Sequence, residues 1–181
     1  MPSHAAFLRA VNLGATRKAG SADLRAAFEE AGFSDVATFR NSGNVVFSTG
    51  SRAGPAKLAE RIEDALAETL GFEVPTFVRD AAQLRAIAEY QPFSAAAVDA
   101  SRGKLQVALL HSKPTAKDRK AVVALAGDRD RLALPGTELY WLPSGGTQQS
   151  SLDMKTIDRL LGPMTMRTQG TISQLRAKFF S

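Results

Sequence analysis

The 181-residue chain contains no cysteine, and that absence removes disulfide frameworks, thiol nucleophiles, iron-sulfur clusters and thiolate zinc sites together. Histidine is nearly as scarce. The two present, His4 and His111, stand far apart and form neither an HExxH zinc helix nor a His-rich tract, so no metal site and no histidine-based triad is expected. Long hydrophobic runs are missing as well. Arg9, Arg25, Arg61, Arg85, Lys104 and Arg119 cut the apolar stretches short of the ~20 residues needed to cross a bilayer. The opening Met1-Pro2-Ser3-His4 has no basic n-region, and the apolar segment behind it is broken by Arg9, unlike a secretory signal. The expectation is a cytoplasmic protein with no membrane partner.

What is present describes an ordinary globular chain: 44% of residues are hydrophobic and 23% charged. A chain of this size can bury roughly 70% of its unfolded surface, enough for a core without staples. The net charge of +5 is unevenly spread. Residues 1–90 carry 10 basic and 11 acidic side chains, whereas residues 91–181 carry 13 and 7. A basic half suits a phosphate-bearing partner, or simply a soluble face.

Local patterning supplies the architecture. AAFLRAV is an apolar strand-like run, and the loop after it leads to Ser21-Ala22-Asp23, an N-cap with an acid in the first turn. Leu24, Ala27, Phe28 and Ala31 keep helical spacing up to Gly32. Val36–Arg40 and Val45–Ser48 flank Asn41-Ser42-Gly43-Asn44 and read as a hairpin. Leu58, Ile62, Leu66 and Leu70 trace a second helix ending at Gly71, and 74–78 returns as a strand. The first half thus spells βαββαβ.

From Lys104 the grammar repeats, with strand 105–111, helix 115–126, strands near 130–134 and 138–142, helix 152–161 ended by Gly162, strand 164–167 and a terminal helix 171–179. The order βαββαβ is the ferredoxin-like unit, a four-stranded antiparallel sheet with its first and third strands central and two helices on one face. The expected fold is therefore α+β, with ferredoxin-like units at 1–80 and 104–181, the latter carrying the terminal helix, joined by a helical linker at 81–103. That fold hosts many functions, so function has to come from sites.

Three strings carry a family resemblance. FLRAVNLG followed by DLRAAFEEAGF, then TFRNSGNVVF, then MRTQGTI together resemble the domain of unknown function 1697 family of bacterial proteins. Arg9, Asn12, Gly14, Lys18 and Asp23-Leu24-Arg25 match its opening pattern, Ser42 to Phe47 its most recognisable string, and Arg167 and Thr171 its C-terminal one. Departures stand at Ala10 and Ala15, where the family usually has glycine, at Thr168-Gln169 for Asn-Trp, and at Ser151 for lysine. The resemblance implies paired ferredoxin-like units and brings no substrate, cofactor or catalytic residue with it.

Candidate site residues follow from the strand ends. Alternation places Ala5, Phe7 and Arg9 on one face of the first strand and Ala6 and Leu8 on the other. With the Leu8 face against the helices, Arg9 projects from a central strand onto an open face, where its guanidinium calls for an acid such as Asp35, a carbonyl or a bound anion. Ser42-Gly43-Asn44 offers backbone N–H groups beside a hydroxyl and an amide, either as an anion-binding nest or as a plain turn. Asn12 follows the first strand and orients a ligand or its own backbone. Because the first two strands point the same way, their exits share an end and Asn12 and Ser42 can be neighbours.

Weaker signals lie elsewhere. The Gly145–Ser151 loop precedes a helix start without a phosphate-loop consensus, and Lys113, Lys117 and Lys120 form a basic stripe that also reads as a solvated helix face. Phe7 and Phe47 are expected on one open face, as in base-stacking sheets or as packing residues. The leading reading is a small phosphate- or carboxylate-bearing ligand held by Arg9, Asn12, Ser42, Gly43, Asn44 and Arg167, by a binder or an enzyme. Its rival is a nucleic-acid or protein binding module using the basic second half. Tight nucleic-acid binding is not expected, since five net charges and no aromatic consensus strand give only weak, salt-sensitive contact.

Overall fold

The computed structural model describes residues 1–9, 19–40 and 43–180. Contacts divide the chain into two units, Met1–Arg85 with Gln174–Ser181, and Ala86–Ser173. In the first unit β1 (His4–Leu8), α1 (Ser21–Glu30), β2 (Ser34–Thr38), β3 (Asn44–Ser48), α2 (Pro55–Leu70) and β4 (Thr76–Asp80) run in the expected order. The sheet is antiparallel with order β2-β3-β1-β4, so the first and third strands are central. Mixed α+β architecture with two four-stranded antiparallel sheets, flanking helices and a C-terminal helix is what the patterning led us to expect.

The core of this unit follows from the two periodicities. Ala6 and Leu8 alternate inward from β1, Val45 and Phe47 from β3, and Leu24, Phe28, Leu58, Ile62 and Leu66 meet them from α1 and α2. Pro55 occupies the first turn of α2, where its missing N–H costs nothing. Gly71 closes the helix, its N–H bonding the Ala67 carbonyl at 2.9 Å.

Two expectations about the other sheet face are corrected. That face is not open, because Ala5, Phe7 and Val46 are 0% exposed and Phe77 1%. The continuous run AAFL already carries the mark of a strand buried on both sides, in which apolar residues do not alternate with polar ones. Phe7 and Phe47 also do not share a face. The register pairs His4 with Phe47 and Phe7 with Asn44, so Phe47 points with Leu8 into the helix-side core, where Phe28 and Phe33 pack around it at 5.6 and 4.7 Å.

The second unit repeats the plan. It comprises, after α3 (Ala81–Glu89) and α4 (Ala95–Ala100), β5 (Gln106–Leu110), α5 (Ala116–Val123), β6 (Asp130–Ala133), β7 (Glu138–Pro143), α6 (Met154–Leu161), β8 (Met164–Thr168) and the start of α7 (Gln169–Phe179). Its sheet order is β6-β7-β5-β8, all antiparallel. Ala108, Leu110, Leu139, Trp141 and Ile157 form its core. The repetition reaches single residues. Arg79 pairs with Ala5 on β4 as Arg167 pairs with Val107 on β8, and each donates through Nη1 to the carbonyl of the residue before it at 2.9 Å.

Candidate functional site

The exits of β1 and β2 lie at one end of the first sheet, since both strands run antiparallel to β3. Gly43 brings them together. Its carbonyl accepts the Leu8 N–H at 2.8 Å, its φ is +77°, and a Cβ there would lie 3.1 Å from Leu8 Cβ and 3.3 Å from Leu8 O. Leu8 is 2% exposed and has little room to yield, so glycine is required both for the conformation and for the approach.

Asn44 shapes this turn from within. It is buried, its side-chain amide donates to the Phe39 carbonyl at 3.0 Å, and its own carbonyl accepts the Phe39 N–H at 2.9 Å. These bonds clamp the base of the hairpin. Asn12, Gly14, Lys18 and Ser42 lie outside the described residues.

Arg9 follows directly on β1. β1 ends at Leu8, and Arg9 is an exposed residue one position beyond it. Its backbone N–H donates to the Pro75 carbonyl at 2.9 Å. The end of β1 is thereby pinned on both sides, to the turn at Gly43 and to the segment entering β4. The guanidinium itself has no partner among the described residues. Asp35, the acid considered for it, lies 3.9 Å from the chain's terminal amine instead.

Arg40 was missed by sequence reasoning, which absorbed it into the strand before the turn. It is exposed at the exit of β2 with a φ of +51°. Its guanidinium donates to the Gln174 side-chain oxygen and sits 5.4 Å from the centre of the Phe39 ring. Phe179 meets Phe39 edge-on at 6.1 Å, and the Lys178 ammonium lies 5.9 Å from the same ring. The same sheet end thus presents Arg9 and Arg40, a fixed turn and a half-exposed aromatic pair.

Arg167 belongs to the second unit. Its guanidinium donates to Thr165 Oγ1 and to the Met166 carbonyl, both at 2.9 Å, and burial lowers its pKa to about 10. It stays protonated at neutral pH. Next to it, the departures from the family pattern have structural work. Thr168 Oγ1 accepts the Thr171 N–H at 3.1 Å and so caps α7, while the Gln169 amide donates to the carbonyls of Ile87 and Tyr90 at 3.0 and 2.7 Å. Lys113, Lys117 and Lys120 are all exposed, the latter two on α5. Among the described residues no three metal-ligating side chains cluster, and no helix is long and apolar enough to cross a membrane.

The family model described as a protein of unknown function, DUF1697, matches residues 1–140. A solved structure of a conserved bacterial protein, SP0830 from Streptococcus pneumoniae, superposes with a TM-score of 0.68 at 21% identity, covering 96% of this chain and 98% of that one. At that identity the likeness speaks for the fold. No curated protein matches the sequence.

Proposed function

The chain belongs to the DUF1697 family, and from that premise, which brings no activity with it, we propose that the first unit binds a small phosphate- or carboxylate-bearing ligand where β1 and β2 exit the sheet. One observation carries this reading. Arg9 presents an exposed guanidinium, without a partner among the described residues, on a backbone held at Leu8 by Gly43 and at its own N–H by Pro75. A rigid base reduces the ordering cost of binding, and a guanidinium offers a forked pair of donors that matches a carboxylate or phosphate edge.

In this reading Arg9 makes the bidentate contact, Gly43 and Ser42 supply turn donors, Asn12 orients the ligand, and Asn44 keeps the turn in shape. Arg40 adds a second positive charge at the same end. Arg167, with its own bonds in the second unit, contributes to that unit's strand β8 and is not needed for the first-unit contact. The basic second half would support nucleic-acid contact through exposed side chains such as Lys117 and Lys120, which favour a solvated face as much as a partner.

Thermal-shift measurement with a panel of phosphorylated and carboxylated metabolites tests the proposal, because a ligand that binds only the native state raises its melting temperature. The expected result is a saturable rise for at least one anionic compound, much reduced in Arg9→Lys, which keeps the charge and loses the fork. A shift left intact in Arg9→Lys and Arg9→Ala, or no shift with any anion, overturns the assignment.

A further inference from the structure

We propose that a cleft in the second unit, walled by Arg102, Arg129 and the Gly145-Gly146 turn, binds a small phosphate-bearing ligand. The cleft has a volume of about 350 Å³, within the range of small-molecule sites. Its two arginines come from separate segments, one ahead of β5 and one ahead of β6, and a single residue fixes both. The Arg102 N–H donates to the Ser144 carbonyl at 2.9 Å, and the Ser144 N–H donates to the Arg129 carbonyl at 2.8 Å. The backbones that carry both side chains are therefore anchored on either side of Ser144.

The anchoring is tight because the backbones touch. A Cβ at Gly103 would overlap the Gly145 carbonyl oxygen and stand 2.9 Å from that of Pro143, so only glycine lets the Arg102 segment pass the turn. The Ser101 hydroxyl adds a bond to the Pro143 carbonyl. The wall of the cleft is preorganised, which spares a ligand the cost of ordering it.

The charge balance points to an anion. Both guanidinium groups are exposed and neither has a side-chain partner among the described residues. The carboxylate on the wall, Asp130, is buried, and its Oδ1 already accepts the Trp141 indole N–H at 2.8 Å and the Ser150 hydroxyl at 2.7 Å. Asp130 thus holds the Ser150 segment in place and forms no ion pair with either arginine among the described residues, so its single charge offsets one of theirs at most and the wall keeps a net positive charge. Ser150 in turn accepts the Leu152 N–H at 3.0 Å, and Ser151 lines the cleft with an exposed hydroxyl. Two forked cations suit a tetrahedral oxyanion better than a carboxylate, since phosphate offers oxygens to both forks at once. Gly145 and Gly146 bring no side chains, so the anion can approach the turn closely. The volume exceeds what a lone phosphate fills, which leaves room for an organic portion on the ligand.

This site is separate from the first-unit proposal, and its test keeps the two apart. The full chain, labelled with nitrogen-15, would be titrated with inorganic phosphate and with glycerol 3-phosphate at constant ionic strength while the amides of Gly145, Gly146 and Ser151 are followed. Saturable shifts at those amides are expected, tighter for the organic phosphate. Arg102→Gln and Arg129→Gln should each weaken binding about tenfold, the size of one lost charge-assisted contact, and Arg9→Gln should leave the titration unchanged. If a glutamine variant loses its dispersed spectrum, Arg102→Lys and Arg129→Lys replace it and should weaken binding in the same direction. Absence of saturable shifts, or shifts indifferent to both arginines, overturns the proposal. A single-stranded oligonucleotide binding the same amides tenfold more tightly than glycerol 3-phosphate would overturn it too, by giving the cleft to nucleic acid.

Discussion

Replacing Gly43 by alanine tests the geometry that brings the β1 and β2 exits together. The φ of +77° places an L side chain in the left-handed region at a cost of about 1–2 kcal/mol. The new Cβ would also press on Leu8 at 3.1 Å, and forcing a packed side chain to shift costs typically 1–3 kcal/mol more. Together these give a loss of about 2–5 kcal/mol, or a fall in melting temperature of roughly 4–20 °C for a chain of this size. Gly50 is the matched control. A Cβ there meets nothing within 4 Å, so Gly50→Ala should change stability by no more than about 0.5–1 kcal/mol. Urea unfolding followed by circular dichroism separates the two, with the denaturant slope expected to stay constant. A Gly43→Ala midpoint equal to the parent's, or an equal loss in Gly50→Ala, would refute the argument.

Arg9→Ala should leave the melting temperature of the unliganded protein nearly unchanged, within about 0.5 kcal/mol, because the side chain is exposed and without a described partner; calorimetry showing a large loss would restore a structural role. Trp141→Phe strips Asp130 Oδ1 of its 2.8 Å indole donor and should cost about 1–3 kcal/mol in denaturant unfolding. Leu175, 0% exposed on α7, should cost about 2–5 kcal/mol on truncation to alanine, while Ala177→Ser on the exposed side of the same helix should be nearly silent. His4 makes stability depend on pH. Burial holds its imidazole below the usual 6.5, with Asp80 acting the other way, so the unfolded chain takes up the proton first and the stabilising effect, full above 6.5, is lost as pH falls. Melting temperature should therefore drop more between pH 7 and pH 5 in the parent than in His4→Gln.

Element order was legible because its signals are local. Leu58, Ile62 and Leu66 name the buried face of α2, and Gly71 names its end. What was hidden depends on pairing between distant segments. The position of Phe47 is set by its register with His4, which no local pattern reports, and the two-sided burial of β1 can be read in AAFL only once continuous and alternating runs are told apart. The expected helical linker at 81–103 did not resolve the Ala95–Ala100 helix as a separate element, although Ser94 caps it, accepting the Ala97 N–H at 3.1 Å. Of the site residues, Gly43 was legible as a turn glycine, while Arg40 was hidden inside a strand-like string. The cleft at Arg102 and Arg129 was invisible because backbone contacts with the distant segment around Ser144 join those two segments.

The central place of β1 has a consequence for the order in which the protein can be made. Its partners are β3 at 44–47 and β4 at 76–80, so the apolar strand HAAFL emerges from the ribosome long before the second of them exists. The delay does not end there. Residues 174–181 belong to the first unit, with Gln174 bonded to Arg40 and Phe179 against Phe39. Chains with successive domains generally fold from the N-terminus as synthesis proceeds, but here the first unit to be started cannot be finished until more than ninety further residues have been added. Between those two moments its apolar strands and half-exposed aromatics are the surface a chaperone would meet.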